Sequence, residues 1–120
     1  MKLSLTRFER IKTKQEFQSV FSDGKSITYF PVKCLYRNCS NTKVHKIGVA
    51  ISKKKIKKAA RRNLIKRRIK EAYRKNKFLI RDLSPHLIIF NYISSDILSY
   101  QEIEHKIILI LQRLSEMHNE

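Results

Sequence analysis

A chain of 120 residues, 42% of them hydrophobic, suits one folded domain with a modest core and is too short for two. Its 27 Lys and Arg against 10 Asp and Glu give a formal charge of +17, which points to a polyanionic partner, nucleic acid ahead of an anionic membrane surface. The longest apolar run, IILIL at 107–111, falls far short of the roughly 18 residues of a membrane-spanning helix. MKLSLTRFERIK at the start has no secretory-type hydrophobic stretch, so a cytoplasmic protein with no membrane partner is expected. Cys34 and Cys39 are too few for a disulfide framework, and with His45 they lack the fourth ligand of a zinc site, so no metal site is expected.

In chain order, residues 1–12 read as a basic, loosely ordered arm, with 1–7 and, at the other end, 117–120 the least ordered parts of the single domain. Thr13 and Glu16 make a T-x-x-E capping box that starts a short helix with Phe17, Val20 and Phe21 on its apolar face; SDG at 22–24 ends it. YFPVKCLYR at 29–37 reads as a strand, with Pro31 near its start where a missing N–H is tolerated. After the polar cluster NCSNTK, HKIGVAIS reads as a second strand, and a long basic helix follows over about 55–76. Beyond DLSP, HLIIFNYI reads as a buried strand, and the capping box of Ser99 and Glu102 opens a final helix through about Leu114. This order predicts an α/β (α+β) two-layer sandwich with helices on a small mixed sheet.

Strand alternation separates faces. Val32, Cys34 and Tyr36 share one side of their strand, and Lys33, Leu35 and Arg37 the other. In the next strand Ile47, Val49 and Ile51 oppose Gly48, Ala50 and Ser52. The first sets read as core. The second sets, small and polar with a basic rim, fit an open groove or equally a half-exposed sheet face.

The basic helix carries 14 Lys or Arg between 53 and 77, with Glu71 its one acid. Ile65, Ile69, Ala72 and Tyr73 fall in a sector of about 100° that packs on the sheet. Ala59, Asn63, Lys66, Arg67, Lys70 and Arg74 form a flanking stripe about 100° wide. Arg61, Arg68 and Lys75 lie on the other flank, and Arg62 projects near the start of the apolar seam, at a rim or paired. A solvated helix mixes signs to gain i,i+4 pairs, and this one does not, so the stripe reads as a nucleic-acid contact. No heptads follow the basic run as a zipper-type DNA reader requires, and the apolar seam is too narrow for a membrane-surface helix. RNA fits better: a fixed basic array suits backbone recognition, and Phe17, Phe21 and Tyr36 or Tyr92 offer stacking surfaces.

AARRNLIKRRIKEAYR at 59–74 resembles the signature helix of the bacterial ribonuclease P protein subunit, A-x-x-R-N-x-x-K-R-x-x-R-E-x-x-R. FERIKTKQEFQSVFSDGKS (8–26), KIGVAISKK (46–54), LIIF and the terminal helix are similar to the family at its spacing, so the resemblance covers nearly the whole chain. It implies the small partner of a catalytic RNA that, with Mg²⁺, removes the 5′ leader of precursor tRNA. The RNA does the chemistry, no residue of the protein is catalytic, and one protein binds one RNA. It implies that Lys54, Arg61, Arg62, Asn63, Lys66, Arg67, Arg68, Lys70 and Arg74 contact the RNA subunit. It further implies that Phe17, Phe21, Lys33, Leu35, Ala50, Ser52, Lys53 and Tyr92 form a leader-binding cleft between the first helix and the sheet. It also implies a left-handed βαβ crossover around the signature helix. Leu64, Lys70, Lys57 and Tyr92 depart from the family pattern, which implies one lost RNA contact at Leu64, a lost bidentate fork at Lys70, and stacking in place of a charge at Tyr92. Two other functions compete: a general or ribosome-associated RNA-binding protein using the same helix, and a free-standing nuclease. The second fares worst, because His45, His86, His105 and His118 are scattered and no carboxylate cluster accompanies them.

Overall fold

The computed structural model describes residues 7–40 and 42–118. After a 3-10 turn at Arg7–Glu9 come α1 (Lys14–Asp23), β1 (Lys25–Tyr29), β2 (Val32–Asn38), β3 (Lys46–Ile51), α2 (Ala59–Asn76), a 3-10 turn at Lys77–Ile80, β4 (His86–Tyr92) and α3 (Tyr100–His118). The strands form one sheet in the order β1-β2-β4-β3, antiparallel except for the parallel β3–β4 pair that α2 connects.

Both capping boxes form. The Glu16 N–H donates to Thr13 Oγ1 at 3.1 Å, and the Glu102 N–H donates to Ser99 Oγ at 3.2 Å. The expected strand at 29–37 is instead the second arm of a hairpin that turns at the cis Phe30–Pro31 bond. Its first arm, KSITY, is an edge strand with only Ile27 and Tyr29 partly buried, so its sequence shows little apolar signal. Gly24 joins α1 to that strand. A Cβ there would lie 2.3 Å from the Val20 carbonyl oxygen and 2.9 Å from that of Tyr36, so close approach is what requires glycine.

The core lies between the sheet and α2 with α3. Val32, Cys34, Tyr36, Ile88, Phe90 and Tyr92 meet the α2 seam of Ile65, Ile69, Ala72 and Tyr73 and the α3 stripe from Ile103 to Leu114. All four seam residues are at most 1% exposed, as the periodicity predicts. The short α1 adds a partial third layer on the opposite face, where Ile11, Val20, Leu87 and Ile89 form a smaller cluster.

Both ends are tied down further than the sequence suggests. Arg10 bridges to Ile47 beside the β3 edge, the Ile11 N–H donates to the Ile47 carbonyl at 2.9 Å, and Glu9 pairs with Lys77 at 3.1 Å. Residues 1–6 lie outside the described residues. α3 continues past Leu114 to His118, and the Tyr36 hydroxyl donates to Met117 Sδ at 3.7 Å; residues 119–120 lie outside the described residues. α2 begins at Ala59 because Lys53–Lys55 form a turn first, with the Ile56 N–H on the Ser52 carbonyl at 3.1 Å and Ile56 buried.

His45, before β3, holds two segments together. Its Nδ1 accepts the His86 backbone N–H at 3.1 Å, so Nε2–H donates to the Ile80 carbonyl at 2.9 Å. Burial pushes its pKa below 6.5, against the opposing pull of the Ile80 carbonyl and Glu9. A proton on Nδ1 would break the His86 contact. With the folded pKa depressed, the unfolded chain protonates first as pH falls through 6.5, and stability is lost from there down to the folded value. In urea titrations the unfolding midpoint should fall across that window more steeply for the wild-type chain than for His45→Gln.

Candidate nucleic-acid interface

Strand register builds the sheet face turned away from α2 and α3. Thr28, Lys33, Asn91 and Ala50 form one row across the four strands, and Ser26, Leu35, Ile89 and Gly48 form the next. α1 packs on β2 and β4 and covers part of this face, with Val20 fully buried. Phe17 lies directly on β3: a Cβ on Gly48 would sit 2.6 Å from Phe17 Cζ. Phe21, one turn on, is 51% exposed. Lys33, Leu35, Ala50 and Asn91 are half-buried, and Ser52 and Lys53 are exposed where β3 ends. Alternation puts Lys33, Leu35 and Ala50 on this face beside Phe17, with Phe21 one helical turn on and Ser52 and Lys53 past the end of β3, and this half-open face is the candidate cleft.

Tyr92 is not in that cleft. It is fully buried on the α2–α3 side, its hydroxyl donates to the Asp96 carbonyl at 2.5 Å, and it accepts the Leu98 N–H at 3.2 Å. Burial raises its pKa. The same period-2 rule that sorted the earlier strands puts Ile88, Phe90 and Tyr92 on one face and Leu87, Ile89 and Asn91 on the other. Asn91 is the residue that β4 presents to the cleft, and its polarity inside an apolar run was the available signal.

The α2 stripe is solvent-facing along its length. Asn63 and Arg67 are exposed, Lys66, Lys70 and Arg74 half-buried, and Lys54 and Arg61 exposed at the entry. Among the described residues, the side chains of Lys54, Arg61, Asn63, Lys66 and Arg67 make no hydrogen bond or ion pair. Three other arginines are already engaged. Arg62 Nη1 donates to the Ile56 and Lys57 carbonyls, each at 2.8 Å, and braces a helix start that has no side-chain cap. Arg68 Nη1 donates to the Leu98 carbonyl at 2.5 Å, tying α2 to the approach to α3. Arg74 forms a two-point pair with Glu71, the acid three residues before it.

Burial, then the nearby charges of Arg10 and Lys66, push the Lys70 pKa down. Arg10 thus extends the basic stripe onto the arm beside β3. Lys46 crosses from β3 to Glu16 of α1 at 3.0 Å and fixes that helix over the sheet. The stripe and the cleft lie on different faces and meet at the Ser52–Lys54 turn, where the Lys54 N–H donates to Ser52 Oγ at 3.1 Å.

A basic helix crossing between parallel strands, with a half-open sheet face behind it, defines a class, and comparison with known proteins identifies it. The family model for Ribonuclease P matches residues 5–115. The chain therefore belongs to the ribonuclease P protein family, which acts in tRNA processing as part of a ribonucleoprotein. The ribonuclease P protein component of Porphyromonas gingivalis W83 is 31% identical over 107 residues, covering 83% of this chain and 78% of the relative. That of Thermotoga maritima is 38% identical over 79 residues, 64% of each chain. The solved Thermotoga maritima protein superposes with a TM-score of 0.75 at 25% identity, covering 88% of this chain and 96% of that one. No helix among the described residues is long and apolar enough to cross a membrane.

The Phe17–Gly48 contact can be tested directly. Gly48→Ala should destabilise the protein by about 1–3 kcal/mol through overpacking. In a Phe17→Ala background the same change should cost less, a coupling that a double-mutant cycle by urea denaturation measures.

Proposed function

We propose that this chain is the protein subunit of ribonuclease P. It binds the catalytic RNA through the α2 stripe and the 5′ leader of precursor tRNA in the cleft beside α1, and so assists endonucleolytic removal of the leader. The observation that carries this reading is the separation of a solvent-facing basic stripe from a half-open sheet face, within a member of this family. Asn63, Lys66 and Arg67, joined by Lys54, Arg61, Lys70 and the remaining nitrogens of Arg62 and Arg68, suit a folded RNA backbone. In the cleft, Lys33 and Lys53 attract phosphate while the half-buried Phe17 and the exposed Phe21 offer ring faces to unpaired bases. Asn91 takes the place first given to Tyr92, supplying both a donor and an acceptor.

The bond cleaved is one phosphodiester, and the chemistry falls to the RNA. The Mg²⁺ that the reaction requires is assigned, with the chemistry, to the RNA. The protein contributes by holding two RNAs in register: α2 fixes the catalytic strand, and the cleft fixes the leader next to it. The cell compartment that fits this function is the cytoplasm, and one protein serves one RNA.

Addition of the protein to the catalytic RNA should raise leader cleavage at low Mg²⁺; a cognate RNA unaffected by it would overturn the reading. Lys66→Ala or Arg67→Ala should weaken binding to the RNA subunit and reduce the salt slope by about 1. Phe17→Ala should instead reduce discrimination between precursor and mature tRNA. Equal losses for every RNA in both sets would mark a general RNA-binding protein.

A further inference from the structure

A cavity of about 350 Å³ opens at the C-terminal end of α2, between the loop before β3 and the turn that follows the helix. Its walls are apolar: Val44, Phe78, Leu83 and Pro85 line it. Phe78 and Val44 remain 43% and 40% exposed, more than an ordinary core margin leaves to a large hydrophobe. Lys43 and Arg81, both exposed, supply cations at its rim. The acid that lines it, Glu9, is paired with Lys77 at 3.1 Å, so the rim stays positive. His45 serves as wall alone, since both its ring nitrogens are held by backbone groups.

The cavity continues the basic stripe. Arg10 acts on Lys70 from the arm, Glu9 of the same arm reaches Lys77, and Lys77 lines the cavity one turn beyond Arg74. Basic side chains thus run from Lys66 and Lys70 past Arg10 to this opening.

We propose that this cavity takes one unstacked base of the catalytic RNA, its ring against Phe78 and its phosphate near Lys43 and Arg81. The site rests on the function proposed above. The chemistry fits a nucleobase better than a peptide. A flat ring fills an apolar slot of this size, positive charge surrounds it, and no unneutralised acid lines it to receive a basic residue. Single-stranded loops of folded RNA present such bases, and stacking on an aromatic side chain tolerates any base identity.

The test compares Phe78→Ala, Phe78→Trp and Val44→Trp in the full chain with its catalytic RNA. Both positions are exposed, so neither change opens the core. Phe78→Ala should lower affinity about five- to a hundred-fold. The slope of log affinity against log salt should stay at the wild-type value, because no phosphate contact is lost. Val44→Trp, which fills the slot, should lower affinity likewise, and Phe78→Trp should retain it. Base-modifying reagents should find one nucleotide of the RNA protected by the wild-type protein and reactive with Phe78→Ala. Wild-type affinity and an unchanged modification pattern in Phe78→Ala and Val44→Trp would overturn the proposal and leave a protein partner as the occupant. Equal loss in Phe78→Trp would overturn it too. A wild-type protein that does not bind the RNA would overturn the function itself, an outcome distinct from either.

Discussion

Everything in this molecule depends on the seam of α2. Eighteen residues carry a dense array of cations, and four side chains, Ile65, Ile69, Ala72 and Tyr73, hold the helix to the sheet. Two exposed cations about 6 Å apart repel by roughly 0.7 kcal/mol in water, and salt reduces that. One fully buried isoleucine contributes about 1.5–3 kcal/mol. The seam therefore outweighs the repulsion pair by pair, and it also fixes the helix rotation. A rotation by one residue would put Lys66 or Lys70 into the core, so the stripe can point one way only.

That rotation has consequences on both faces of the sheet. α2 and α3 pack on one face, which leaves the other to a helix of only ten residues. α1 is held there by Phe17 on Gly48 and by the Glu16–Lys46 pair, and the row of Lys33, Asn91 and Ala50 stays half-open beside it. The β3–α2 turn joins the two surfaces within a few residues. A protein proposed to hold a catalytic RNA and its substrate together gains from that short, braced connection, with Arg62 fastened to the carbonyls of Ile56 and Lys57. Charge alone would attract RNA; the fixed angle between stripe and cleft is what suits it to two.

Much of this was legible in the sequence wherever one physical signal dominated. The α2 seam, the capping boxes and the alternation in β2 and β3 each follow from a period or a hydrogen bond that neighbouring residues decide. The family resemblance points Tyr92 to the cleft, but the parity that Ile88 and Phe90 impose turns it into the core and presents Asn91 instead. β1 was missed because an edge strand needs little apolar surface, and the arm at Glu9–Ile11 because its order comes from partners such as Ile47 and Lys77, distant in sequence. Arg62, Arg68 and Arg74 show the same limit: composition counts a cation, and only tertiary structure shows which carbonyl or carboxylate already engages it. The cavity beside Phe78 is assembled from three separate stretches of chain and has no sequence signature.

The central claim is that the stripe and the cleft face different RNAs. Tethered hydroxyl-radical probing tests it, with an iron chelate attached in turn to Arg67→Cys and Lys33→Cys in a Cys39→Ser background; the buried Cys34 is inaccessible to the label. In a complex with catalytic RNA and precursor tRNA, the chelate at position 67 should cut the catalytic RNA and spare the leader. The chelate at position 33 should cut the leader. Cleavage of the same RNA segment from both positions would contradict the account.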